Sequence, residues 1–134
     1  MLRVIISSYR AISMSINVLY VDHEINNLNS FMATFRKDAD VFLSESTVDG
    51  FKILKEKQID IVFADHQMPG TTGVEFFEQI TDQFPETIRV LLTCHAYKEE
   101  FRSAIKSGYI HYYVNKPWDE EELRMLIATC LVSR

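Results

Sequence analysis

The sequence predicts an α/β domain built on one open, five-stranded parallel sheet wound with helices on both faces. Three observations predict it. Short apolar runs of strand length alternate five times with segments whose apolar residues recur at helical spacing. The runs are nearly continuously apolar, as strands covered on both faces are, and the connections between them are short. Four of the runs end in polar residues, at Asp22, Asp65, Thr93 and the pair Asn115–Lys116. Open parallel sheets place their ligand sites at such carboxyl ends.

The elements follow in order. Ile16 to Val21 is dense enough for a buried strand, and Asp22, His23 and Glu24 follow it. Apolar residues at Ile25, Leu28, Phe31, Met32 and Phe35 then form a 3.6-residue stripe, a helix closing near Lys37. Val41 to Leu43 makes the second strand; Thr47 is the expected cap of a helix with Val48, Phe51 and Leu54 inward. Ile59 to Ala64 is the third strand, ending on Asp65 and the loop HQMPGTTG. The next helix carries Val74, Phe77, Ile80 and Phe84, and Pro85 closes it. Ile88 to Leu92 is the fourth strand. A helix from about Lys98 to Ser107 has Phe101, Ala104 and Ile105 inward and Gly108 as its stop. Ile110 to Val114 is the fifth strand. After Pro117 the acids 119–122 open a last helix, favourable to its dipole, with Leu123, Leu126, Ile127, Cys130 and Leu131 inward. Right-handed crossovers leave the flavodoxin-like order 2-1-3-4-5, in which strands one and three flank the switch point. Asp22 and Asp65 end those two strands.

The 134 residues are enough for one domain with a real core. Residues 16–134 are assigned to it, and residues 1–15 to an N-terminal extension that is disordered or loosely docked. Met14 is an alternative start. A net charge of −5 gives no basis for nucleic-acid binding through bulk electrostatics and fits a cytoplasmic protein whose partners are proteins. No apolar stretch approaches the roughly 18 residues of a membrane span. Cys94 and Cys130 lack metal-like spacing and read as reduced thiols, with Cys130 in the core.

Asp65 is the candidate reactive group, because a carboxylate can attack a phosphoryl group and form an acyl phosphate. Asp22 and Asp65 at one switch point suit a divalent cation; Mg²⁺ takes one or two carboxylates with water and substrate phosphate. A Lys116 ammonium aimed inward would stabilise transferred negative charge, and Thr93 could bond the same oxygens. Taken singly, each has a plainer reading: a capping Asp, a β-forming Thr, a solvated Lys before Pro117. The ordered set at four strand ends is what carries the signal.

These residues give the chain its resemblance, over Ile16 to Leu131, to the receiver domains of bacterial two-component response regulators. VLYVDHE resembles the family's acidic opening, DHQMPGTTG its phosphoacceptor loop, LLTCHA its switch-hydroxyl segment and YVNKPW its lysine turn. The resemblance implies phosphorylation of Asp65 by a histidine kinase or phosphotransfer protein, with Mg²⁺ held by Asp22, Asp65 and the backbone carbonyl of Gln67, and with Lys116 and Thr93 assisting. It implies a switch pair, Thr93 and Tyr113, that reports to the face of the fourth helix, fifth strand and fifth helix. One departure bears on the chemistry. The family carries two acids in a row after the first strand and uses the second as a metal ligand; here that position is His23. Losing one charge near 4 Å removes up to about 4 kcal/mol of attraction at an effective dielectric of 20. Nitrogen also suits transition metals better than magnesium. Mg²⁺ affinity is therefore expected to be weakened. A wider metal cluster of His23, His66 and His95 has no ligand spacing to support it.

The expectation is a stand-alone receiver in a phosphorelay, not an enzyme, whose output is switched binding to a downstream protein; Tyr109, Tyr112 and Tyr113 allow a homodimer. The rival is a phosphorylation-independent docking module that keeps the fold after losing the metal chemistry at His23. A small flavin carrier fares worse, because HEINN after the first strand lacks a phosphate cradle.

Overall fold

Alternation along the strands divides the core into two layers, one on each side of a central sheet. The computed structural model describes residues 16–94 and 99–132. Among the described residues the strands are β1 (Asn17–Val21), β2 (Asp40–Ser44), β3 (Ile61–Asp65), β4 (Gln67–Met68), β5 (Thr71–Thr72), β6 (Ile88–Thr93) and β7 (Tyr112–Asn115). The helices are α1 (Ile25–Phe35), α2 (Thr47–Glu56), α3 (Gly73–Thr81), α4 (Glu99–Lys106) and α5 (Glu120–Val132). The parallel sheet runs β2-β1-β3-β6-β7, the expected order once the two-residue ribbon β4–β5 is set aside. Val18, Tyr20, Ile61, Phe63, Val90 and Leu92 meet Phe31 and Phe35 of α1 and Leu123, Ile127 and Cys130 of α5. Leu19, Val21, Val62, Ala64 and Leu91 meet Leu54, Phe76, Phe77, Ile80 and Phe101 of α2, α3 and α4. Two covered faces explain why β3 is buried at all five positions.

Several boundaries differ from the sequence reading, each for a local reason. Ser46, not Thr47, caps α2: Ser46 is extended and accepts from the Asp49 amide, whereas Thr47 is already helical. Val48 is 75% exposed because α2 buries the side bearing Gly50 and Leu54. Gly50 lies so close to β1 that a Cβ there would stand 3.1 Å from Val21 Cγ2. Ile25 and Ile105 likewise face outward. Phe84 falls outside α3, since a residue before proline is held out of the helical region. β3 begins at Ile61, two residues late, and takes in Asp65. Ile110 precedes β7 because its amide still bonds the Ala104 carbonyl. That bond belongs to the turn expected at Gly108, which has φ +82° and a Tyr109 amide on the Ala104 carbonyl at 2.9 Å.

The readings for residues 1–15, for Met14 as a start, for His95 and Lys98, and for burial of the Leu131 side chain lie outside the described residues. Among the described residues no helix is long and apolar enough to cross a membrane.

Candidate functional site

Strand geometry brings the polar ends together. β1 and β3 are neighbours, with Val21 opposite Ala64, so Asp22 and Asp65 leave the same sheet edge side by side. β6 and β7 extend that edge, with Thr93 opposite Asn115. The Lys116 amide donates to the Thr93 carbonyl at 2.8 Å, and the Lys116–Pro117 bond is cis. The Lys116 ammonium then lies 3.4 Å from Asp22 Oδ2 and 3.5 Å from Asp65 Oδ2. Asp22, Asp65 and Thr93 are buried and Lys116 is partly so.

Loop chemistry fixes the Asp65 side of the site. The Gln67 amide donates to Asp65 Oδ1 at 3.4 Å, and the ribbon β4–β5 turns back through Gly70, φ +81°. Thr72 caps α3 in a capping box with Glu75, which brings Gly73 beneath the loop. A Cβ on Gly73 would stand 2.8 Å from the Asp65 carbonyl oxygen and 2.6 Å from Leu91 Cδ1, so this approach requires glycine.

Asp22 is held by donors that the sequence reading did not pick out. Its Oδ2 accepts from the Tyr20 hydroxyl and from Asn27 Nδ2 at 3.1 Å, and its Oδ1 from the Glu24 amide at 2.9 Å. Trp118 packs behind this network, its ring 6.0 Å from Phe31 and 5.6 Å from Phe35. The signal for Tyr20 was present: residues two apart in a strand share a face. Nothing local marked Asn27. His66 was also under-read. It is buried, its ring packs edge-on against Phe101 at 4.8 Å, and its Nε2 lies 3.7 Å from a Glu100 carboxylate oxygen.

Electrostatics separates the two acids. Burial works against ionisation of Asp22, but the Tyr20, Glu24, Lys116 and Asn27 contacts outweigh it and hold the carboxyl below its ordinary range. Burial, reinforced by the Asp22 charge and opposed by Lys116, pushes Asp65 above that range. Burial also opposes the Lys116 charge, yet Asp65 and Asp22 hold its ammonium above the usual lysine range. Burial and the bond to Asp22 drive the Tyr20 phenol well upward, so it stays a donor. Asp65 is thus the more basic carboxylate, beside a fixed positive charge.

His23 reaches the same place from the exposed side. Its Nδ1 lies 3.9 Å from Asp22 Oδ1 and 4.0 Å from Asp65 Oδ2. Asp22, His23 and Asp65 each offer a ligand atom within 4.8 Å of the others, a group that could hold a metal ion. The two carboxylates fit a divalent cation; the third donor is nitrogen. His66 is outside this group. Tyr113 lies away from the acids: it pairs with Leu91, one strand over and two residues back from Thr93, and its ring is 5.9 Å from Phe101.

A family model described as the response regulator receiver domain matches residues 18–128. The hydrogenase transcriptional regulatory protein HoxA of Cupriavidus necator is 26% identical over 79% of this chain, which covers 22% of that protein. The probable transcriptional regulator ycf29 of Cyanophora paradoxa is 33% identical over 87% of this chain, covering 56% of it. The chain thus spans about half or less of the length of these relatives. The crystal structure of a response regulator receiver domain protein from Clostridium thermocellum superposes with TM-score 0.81 at 25% identity, covering 88% of this chain and 95% of that one.

Proposed function

The chain belongs to the response regulator receiver domain family, and from that premise we propose that it is a phosphoacceptor whose reactive group is Asp65. Receiver domains are signalling domains. The observation that carries the proposal is the Lys116 ammonium set between two buried carboxylates at the switch point. An Asp65 carboxylate oxygen attacks the phosphorus of a phosphohistidine on a histidine kinase or phosphotransfer protein. The P–O bond forms as the P–N bond breaks, and the imidazole leaves with its electron pair. Lys116 offsets the charge brought in, and Thr93 hydrogen-bonds the transferred group. A bound Mg²⁺ would be held by Asp22, Asp65 and the Gln67 carbonyl, and would supply further positive charge. In this reading the phosphoryl group reorders Thr93 and Tyr113, and the output is altered binding of a downstream protein in the cytoplasm.

Acetyl phosphate or beryllofluoride should label the native chain once, and Asp65→Asn should remove the label, read by intact-mass spectrometry and fluorine NMR respectively. Absence of an Asp65 adduct with every divalent ion tried would overturn the proposal. A second reading, a docking module that works without phosphorylation, is favoured by His23 standing where the family carries an acid. It requires partner binding unchanged by Asp65→Asn.

A further inference from the structure

We propose that this site takes a transition-series divalent cation with His23 as its third protein ligand, and that His23 turns its selectivity away from Mg²⁺. The inference rests on the reading of the Asp22–Asp65 edge as the functional site, but not on phosphoryl transfer. His23 Nδ1 is almost equidistant from Asp22 Oδ1 and Asp65 Oδ2, at 3.9 and 4.0 Å. Around a tetrahedral ion with bonds near 2.1 Å, ligand atoms stand roughly 3.4 Å apart. A contraction of about half an ångström closes each of the two pairs that include His23, and all three ligand atoms already lie within 4.8 Å of one another. The His23 side chain is 38% exposed, so its ring is not locked into the core.

The carboxylates are oriented for such a ligand set. Tyr20, Asn27 and Lys116 all engage Asp22 Oδ2, leaving Oδ1, which among the described residues accepts the Glu24 amide, as the oxygen nearest His23. On Asp65 the Gln67 amide engages Oδ1, and Oδ2 faces both His23 and Lys116. Outer donors of this kind fix ligand direction and tune affinity. Charge points the same way. Two carboxylates and one ammonium sum to −1, too little to favour a strongly hydrated ion that depends on charge and oxygen donors. Borderline ions gain from the imidazole lone pair, which Mg²⁺ uses poorly.

The test is titration of the purified chain with Co²⁺, Zn²⁺ and Mg²⁺, followed calorimetrically and, for Co²⁺, by visible absorption. Co²⁺ should bind one per chain, with new visible bands, on the order of 100-fold more tightly than Mg²⁺. His23→Ala should weaken Co²⁺ by at least about ten-fold and Mg²⁺ far less, and Tyr20→Phe should weaken both about ten-fold through Asp22. His23→Asp should raise Mg²⁺ affinity and narrow the ratio. The proposal is overturned if His23→Ala leaves the Co²⁺-to-Mg²⁺ ratio unchanged, or if Co²⁺ binding survives in Asp22→Asn and Asp65→Asn. Co²⁺ bound through His23 without any beryllofluoride adduct on Asp65 would uphold this inference and end the phosphoacceptor reading. An adduct formed with Mg²⁺ while His23→Ala leaves Co²⁺ affinity unchanged would do the reverse.

Discussion

Tyr20→Phe isolates the bond that holds Asp22. Tyr20 is fully buried, with its ring 4.5 Å from that of Phe31, so phenylalanine keeps the ring contacts and opens no methylene-sized cavity. What is removed is the hydroxyl donor to Asp22, a carboxylate that is itself fully buried. A hydrogen bond to an ionised group contributes about 1.5–3 kcal/mol. Asp22 retains the Glu24, Asn27 and Lys116 donors, so we expect a loss of about 2 kcal/mol at pH 7. The Asp22 pKa is depressed on folding. Its ionised-state contribution is therefore complete above the unfolded carboxyl pKa and lost as pH falls through the folded one. Urea unfolding at pH 7 in native and Asp22→Asn backgrounds completes a double-mutant cycle. Beside a neutral Asn the same hydroxyl should be worth about 1 kcal/mol, leaving a coupling of about 1 kcal/mol. A cost below about 0.5 kcal/mol, or equal costs in both backgrounds, would refute the assignment of Tyr20 as the support of an ionised Asp22.

Further outcomes follow from contacts elsewhere. Gly73→Ala should destabilise by about 2–3 kcal/mol, because the Leu91 and Asp65 contacts leave no room for a Cβ; a midpoint equal to the native one in urea would contradict the packing. Ser46→Ala should cost about 1 kcal/mol in thermal unfolding and Thr47→Ala markedly less, an order that reverses if Thr47 is the cap. His111 Nδ1 accepts the Arg89 amide at 3.0 Å and so must be unprotonated. Burial, followed by the Arg89 charge, depresses its pKa. Its contribution should be full above the unfolded histidine pKa and decline as pH falls through the folded one, a trend that His111→Gln should flatten in urea melts from pH 8 to 5.

Continuous apolar runs and period-3.6 stripes specify which residues must leave water, and here, with the right-handed crossover rule, they specified the sheet order, its carboxyl edge and five helices. They also put Asp22, Asp65, Thr93 and Lys116 at that edge, because a strand's last residue has only one end of the sheet to occupy. Three things lay beyond them. The sense of a helix cap depends on backbone angles, so Ser46 and Thr47 look alike in sequence. Which side of α2 is buried depends on Gly50 admitting β1, so Val48 reads as core until the helix is docked. The support of Asp22 depends on side chains from β1, from α1 and from Lys116 after β7, whose convergence no local pattern encodes. The same holds for His23. Sequence identifies it as a missing acid, but only the tertiary structure sets its Nδ1 midway between two carboxylates, since that distance is fixed by the pairing of β1 with β3 and not by any neighbour along the chain.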